Sequence, residues 1–187
     1  QNVISNAYLN HQNLLRVGSV IGNQSSFIHN TLLFSSIFRI EHNSITNNVF
    51  TFELGSSYQL TKNIKLLINT GNLYRLPSLN DLFWMPGGNP QLKPETGFQA
   101  DGGFGYNTAI EKIHVEFKAS MYHKIVNDWI LWVPNNMGTS PINVLQVWSR
   151  GTDTETKIKY VDSKFTWFLN FNSAYALSTV NKNILQN

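Results

Sequence analysis

The sequence predicts an all-β fold: an antiparallel transmembrane β-barrel, of which this chain is an incomplete arc. Three observations predict it. Long segments alternate strictly between apolar and polar residues, the connections alternate between short and long, and the composition is poor in charge and rich in aromatic rings. Successive side chains of a strand point to opposite faces, so alternation marks one apolar and one polar face. In a membrane barrel the apolar face meets lipid and the polar face lines a wet lumen.

The strands follow in chain order. Upstream, Leu32, Phe34, Phe38 and Ile40 alternate, and the first 30 residues hold one or two more strands of unclear register. From 49 to 60, Phe50, Phe52, Leu54, Ser56, Tyr58 and Leu60 oppose Val49, Thr51, Glu53, Gly55, Ser57 and Gln59. From 64 to 74, Ile64, Leu66, Ile68, Thr70, Asn72 and Tyr74 oppose Lys65, Leu67, Asn69, Gly71 and Leu73. From 97 to 106, Phe98, Ala100, Gly102, Phe104 and Tyr106 alternate with Gly97, Gln99, Asp101, Gly103 and Gly105. From 112 to 125, Ile113, Val115, Phe117, Ala119, Met121, His123 and Ile125 oppose Lys112, His114, Glu116, Lys118, Ser120 and Tyr122. A weaker pattern runs through 150–160, and a strong one through 165–177 on Phe165, Trp167, Leu169, Phe171, Tyr175 and Leu177. About eight or nine strands of roughly 10–14 residues result, where globular strands usually have about 5–6.

The connections at 61–63, 107–111 and 162–163 read as tight turns, and those at 76–95 and 127–143 as long loops. Short turns at one end and long loops at the other are the pattern of an outer-membrane barrel, and aromatics near strand ends (Tyr58, Tyr74, Tyr106, Trp167, Tyr175) suit its interfacial girdle. A soluble β-sandwich or β-helix would also alternate, but without strands this long or a polar face this poor in charge.

Charged residues make up 13% of the 187, about half the ~25% of ordinary soluble domains, and aromatics another 13%. There is no cysteine, hence no disulfide framework, thiolate metal site or Cys nucleophile. No apolar run approaches the ~20 residues of a membrane helix. The net charge of +3 is scattered and argues against nucleic acid as a partner. The five histidines lack zinc-ligand spacing, and there is no GxSxG elbow or phosphate loop. Asp101, Asp153 and Glu155 offer oxygens but no EF-hand spacing. His114 and Glu116 read as solvated lumen residues. No metal site, cofactor or catalytic residue is expected.

The segment from Tyr74 to Glu95, YRLPSLNDLFWMPGGNPQLKPE, interrupts the alternation. Its prolines and glycines argue against any regular element, and a long ordered connection is usually functional. Pro77, Pro86, Pro90 and Pro94 restrict φ and bias the preceding residues to extended backbone, which predicts a loop of fixed shape. Arg75, Asp81, Lys93 and Glu95 suit pinning of this loop to the wall. Phe83, Trp84, Met85 and Asn89, with Trp132, Asn135, Asn136 and Met137 of the second loop, offer apolar surface and hydrogen-bonding groups for a bulky polar ligand with an apolar ring.

The segment 49–106 resembles the barrel of a TonB-dependent outer-membrane receptor. The likeness is carried by the turn LTKN at 60–63, then Arg75, Pro77, Ser78 and Leu79, then Asn89, Pro90, Leu92, Lys93, Pro94 and Glu95. It continues through IVNDWILWVP at 125–134 and VWSRG at 147–151, with its Arg150–Gly151 pair, and covers about 49–180. The WMPGGNP and DWILWVP forms look most like the vitamin B12 (cobalamin) branch. The resemblance implies that residues 1–187 are part of one 22-stranded barrel domain, with the plug and final strands outside the chain. It further implies a multi-pass location in the Gram-negative outer membrane, in contact with its lipid. A bulky scarce nutrient, cobalamin or a metal chelate, would be captured for import, driven by the TonB energy-coupling complex through parts not in this chain. Most motif residues, from Arg75 to Glu95 and Arg150–Gly151, would shape loop and wall rather than touch ligand. A ferric-siderophore or haem receptor is the alternative within the family. A passive porin or adhesin, or an outer-membrane hydrolase, is the alternative outside it, although His123, the lone histidine on the apolar face, has no clearly paired serine.

Overall fold

In the computed structural model the described residues are 2–3, 12–136 and 138–180. The elements are β1 (Asn2–Val3), β2 (Gln12–Asn13), β3 (Arg16–Phe27), β4 (Leu32–Asn43), β5 (Asn47–Gln59), β6 (Ile64–Arg75), α1 (Leu79–Phe83), β7 (Glu95–Ile110), β8 (Ile113–Asn135), β9 (Gly138–Val161) and β10 (Thr166–Val180). Strands β3 to β10 form one eight-stranded antiparallel sheet in which each strand lies beside its neighbours in sequence. It is an open up-and-down arc whose outermost strands are β3 and β10. The short strands β1 and β2 pair with each other. Among the described residues no helix is long and apolar enough to cross a membrane, and strands are the crossing elements of a barrel.

Residues directly opposed in a ladder share a face, so the register assigns every side chain. Tyr58, Leu66, Phe104 and Ala119 stand in one row, linked by the pairs Tyr58↔Leu66, Leu66↔Phe104 and Phe104↔Ala119. The same face carries Phe38, Phe50, Ile68, Met121, Ile158, Leu169 and Phe171, most of them well exposed. The opposite face carries Glu53, Lys65, Asn69, Gln99, Asp101, Lys118, Glu155 and Lys157. Its charges pair both across and along strands. Glu41 accepts from Arg16 Nε at 2.8 Å and also from Arg39, Glu155 lies between Lys118 and Lys157 at 3.4 and 2.8 Å, and Asn69 donates to Asp101 at 2.8 Å.

The turns at one end are short and held locally. At 60–63 the Thr61 hydroxyl accepts from the Asn63 and Ile64 N–H groups at 3.2 and 3.1 Å, a hydroxyl-closed turn. The Asn63 side chain donates to the Asn107 carbonyl at 2.5 Å, which ties this hairpin to the next. At the opposite end the asymmetry is weaker than expected. β4 and β5 are joined by only Ser44–Thr46, closed by buried Asn43, whose Oδ1 accepts from the Ile45 and Thr46 N–H groups at 3.1 and 2.8 Å.

Two expectations are corrected and a third is extended. The segment 127–143 is not a long loop: β8 runs on to Asn135 and β9 begins at Gly138, so the two strands form a hairpin of 23 and 24 residues. Pro134 and Pro141 lie within it, paired with Thr139 and Trp132. Proline is tolerated there because β7 pairs with β8 only as far as Asn127 and, among the described residues, β10 with β9 only as far as Val147, so no described strand pairs with the outer edges of the ribbon beyond. The weak pattern at 150–160 is the lower half of this same β9. Finally, the 76–94 connection does contain a regular element, α1, because the stretch between Pro77 and Pro86 is free of proline and glycine and begins with a capping box.

Candidate functional site

Buried apolar side chains do not collect along the sheet. Leu76, Leu79, Leu82, Leu92, Val126, Ile130, Val144 and Val147 are buried where the 76–94 loop lies against the extended β8–β9 ribbon. This is the end of the strands opposite the short turns, the outward end of a barrel. The candidate site is that packed loop and the surface it presents.

Its neck is closed by the register. Arg75 ends β6, Glu95 begins β7, and the two are cross-strand partners. The Arg75 guanidinium forks onto the Glu95 carboxylate, Nε to Oε2 at 2.8 Å and Nη2 to Oε1, the bidentate geometry that makes such pairs strong. Glu95 Oε1 also accepts from the Ile130 N–H at 2.8 Å, a bond buried in the interior. The side chain thus supplies an acceptor to β8 just where the β7 backbone ends. Asp128, with φ of 53°, turns β8 at that same point.

Past buried Pro77, Ser78 caps α1. Its hydroxyl accepts from the Asp81 N–H at 3.1 Å, and Asp81 Oδ2 accepts from the Ser78 N–H at 2.9 Å. Oδ1 of Asp81 accepts from the Trp132 indole N–H at 2.9 Å, and Arg75 Nη1 lies 3.7 Å from Oδ2. Burial acts to raise the pKa of Asp81. The Ser78 backbone and hydroxyl, the Trp132 indole and the Arg75 charge outweigh it and hold the carboxyl below its ordinary value. Leu82, Leu92 and Ile130 pack together beneath the helix, with Phe83 against them.

The return limb is clamped by a residue that sequence reading missed. Asn143 of β9 accepts from the Lys93 N–H at 2.8 Å and donates to the Lys93 carbonyl at 3.0 Å and the Asp128 carbonyl at 2.6 Å. Its amide acts as a one-residue strand partner for the loop. An isolated asparagine in an expected loop carries no signal of this role. Asn89 donates to the Pro141 carbonyl at 3.2 Å and accepts from the Gln91 N–H at 3.0 Å. At Gly87 the loop backbone touches β9 so closely that a Cβ would lie 2.1 Å from the Thr139 carbonyl oxygen and 3.6 Å from the Trp132 ring.

The predicted residues therefore separate. Arg75, Pro77, Ser78, Asn89, Leu92, Lys93 and Glu95 lie inside the packing and hydrogen bonding that hold the loop, through backbone in the case of Lys93. Pro90 is exposed and Pro94 half-buried. Arg150 and Gly151 stand in the wall, in the body of β9: Arg150 covers the Trp148 ring, 3.8 Å from its centroid, and Gly151 makes room for the Tyr122 ring. Of the aromatic tip, Phe83 turns inward, whereas Trp84 and Met85 are 41% and 44% exposed and Trp132 is 37% exposed. Asn135 donates to the Ser140 hydroxyl at 2.6 Å, and Asn136 is exposed at the ribbon tip. Met137 lies outside the described residues. Among the described residues no group of three or more His, Asp or Glu side chains is placed to hold a metal.

With this geometry in view, the comparisons are consistent. The sequence profile of the family described as "TonB dependent receptor-like, beta-barrel" matches residues 23–186. A vitamin B12 transporter, BtuB, of Photobacterium profundum is 30% identical over 93 residues, 49% of this chain and 14% of that protein. BtuB of Vibrio vulnificus is 27% identical over 131 residues, 69% of this chain and 21% of that protein. The chain thus spans about a fifth or less of these relatives. The fold of the siderophore receptor PirA from Pseudomonas aeruginosa superposes with a TM-score of 0.79 at 11% identity, over 96% of this chain and 35% of that one. The chain belongs to the TonB-dependent receptor family, within its β-barrel.

Proposed function

We propose that this chain is part of the barrel of an outer-membrane receptor that captures a bulky, scarce nutrient, cobalamin in preference to a metal chelate, for import driven by the TonB complex. The observation that carries the reading is the pinned loop at the outward end. It holds Trp84 and Met85 exposed, with the half-covered Trp132 ring docked on Asp81 of the same loop, on a scaffold fixed by Arg75, Asp81, Glu95 and Asn143. A fixed aromatic and thioether surface suits a large ligand with apolar parts, because little entropy is lost on binding. The likeness to two B12 transporters favours cobalamin. The fold neighbour named as a siderophore receptor keeps a ferric siderophore as the second reading. No bond-making chemistry is invoked, which separates this from an outer-membrane hydrolase.

The test is a titration of the full-length receptor with cobalamin and, separately, with a ferric siderophore. Tighter binding of cobalamin, weakened about tenfold by Trp84→Ala or Met85→Ala, is expected, since exposed aromatic anchors carry a large share of binding energy. Indifference to cobalamin with tight siderophore binding would transfer the proposal to the second reading. Binding unchanged in both variants would remove the loop tip from the site.

A further inference from the structure

A second feature lies on the apolar face of the sheet, away from the inner face. Across β7 to β10 the register sets Ala100 beside His123 and Gly102 beside Met121. It sets His123 beside Arg150 and Met121 beside Thr152, and then Arg150 beside Leu177 and Thr152 beside Tyr175. Small residues on β7 and long ones on β8 and β10 leave a shallow groove of about 580 Å³. Its lining is almost wholly apolar apart from one end.

Gly102 is not forced by the backbone. A Cβ there would meet nothing nearer than the Leu67 carbonyl oxygen at 3.6 Å, an ordinary contact. The fold would accept a side chain, and the space is left open.

The polar end of the groove is cationic. The Arg150 guanidinium rests on the Trp148 ring at 3.8 Å, a cation–π contact. The His123 ring lies 5.4 Å from the same indole. Arg150 Nη1 reaches the Thr179 hydroxyl at 3.5 Å. Among the described residues no ion pair joins Arg150 to a carboxylate, whereas on the inner face Glu41 is paired with Arg16 and Arg39, and Glu155 with Lys118 and Lys157. Its height can be placed. His123 is 11 residues (123 − 112) above Lys112 at the β7–β8 turn; at ~3.3 Å per residue and a tilt of ~45° that is about 25 Å, the height of the apolar band of a membrane barrel. Arg150, His123 and Trp148 therefore stand at the outer interface, with Ala100, Gly102, Met121 and Tyr175 in or below their level among the acyl chains.

We propose that this groove binds a membrane lipid with an anionic phosphate head group, its acyl chain over Ala100 and Gly102 and its phosphate on Arg150 and His123. The guanidinium is pre-oriented by Trp148 and Thr179, and it matches a phosphate in charge and in donor geometry. An apolar protein strand would fill the groove as well, but it would supply no charge for Arg150. The proposal rests on the membrane-barrel reading of the family and not on the identity of the nutrient.

The experiment is native mass spectrometry of the full-length receptor in detergent, titrated with phosphatidylglycerol, with phosphatidylcholine of the same chains, and with inorganic phosphate. Retention of phosphatidylglycerol about tenfold above phosphatidylcholine is expected, with no retained inorganic phosphate. Arg150→Ala should remove the tenfold preference, and Arg150→Lys, which keeps the charge without the planar fork, should keep only part of it. Gly102→Leu should lower retention of both lipids about tenfold by filling the groove; circular dichroism verifies its fold, and Ala100→Leu gives the same reading if Gly102→Leu does not fold. Equal retention of the two lipids by the wild type, undiminished retention in Arg150→Ala, or inorganic phosphate held as tightly as lipid would each overturn the proposal.

Discussion

Replacing Glu95 by alanine should release the 76–94 loop from the barrel while the sheet stays folded. Glu95 is 6% exposed. Its carboxylate satisfies two groups of different kinds: the Arg75 guanidinium, itself half-exposed, and the buried Ile130 N–H at 2.8 Å. Alanine leaves that N–H unsatisfied at a cost of about 1–3 kcal/mol. The ion pair adds only ~1 kcal/mol, because water solvates the freed half-exposed arginine. The sum, about 2–4 kcal/mol, lies in local opening rather than global unfolding. At about 1.4 kcal/mol per tenfold, the Ile130 amide and the loop amides should exchange with deuterium about thirtyfold to several hundredfold faster. Hydrogen exchange of the full-length receptor resolves this at Ile130. Glu95→Gln, which keeps an oxygen for the Ile130 N–H, should lose about tenfold or less. Exchange unchanged in Glu95→Ala, or equal losses in Gln and Ala, would refute the view that the Ile130 bond carries the larger part.

Other predictions follow from the same geometry. Gly87→Ala places a Cβ 2.1 Å from the Thr139 carbonyl oxygen, so the loop must lift off β9; protease cleavage within 84–93 should become rapid while the strands resist. Asn143→Ala removes the Lys93 and Asp128 bonds and should raise exchange at Lys93 at least tenfold. The Asp81 carboxyl is held below its ordinary value of 3.8; with the folded value depressed, its contribution is complete above about pH 4 and is lost as pH falls through the folded value. Trp132 fluorescence, read against an Asp81→Asn control, should report undocking only under such acid, and a transition near neutral pH would contradict this. On the outer face, Phe171→Arg should cost about 2–4 kcal/mol of barrel stability, whereas Asn172→Arg on the inner face should cost little; equal costs would reverse the assigned faces.

Much of the fold was legible because alternation is a local property. Phe50 to Tyr58, Ile64 to Thr70 and Phe98 to Tyr106 announce their face without reference to any neighbour, and the observed register joins these rows as one apolar surface. What failed locally failed for an identifiable reason. Pro134 and Pro141 are strand breakers inside a sheet, and they are accommodated in a ribbon that, among the described residues, no outer strand joins beyond Asn127 and Val147. The helix at 79–83 was hidden by the prolines and glycines on either side, although Ser78 and Asp81 are the capping pair that starts it.

The candidate site was legible in part. Arg75, Lys93 and Glu95 could be read as pins from a charged, proline-framed loop, but their partners could not. Asn143 lies 50 positions from Lys93, and Trp132 lies 51 from Asp81. Phe83, beside Trp84 in sequence, faces the interior because α1 turns the two rings apart.

By itself the sequence determined the two faces, the strands and the family, because each rests on residues close together along the chain. The tertiary structure decided which groups meet. Glu95 with Ile130, Asn143 with Lys93, and Arg150 with His123 and Trp148 are brought together by strand register, which no single strand encodes. The loop from 74 to 95 is therefore shaped by its own prolines, yet held in place by a ribbon whose residues gave little sign that they would hold it.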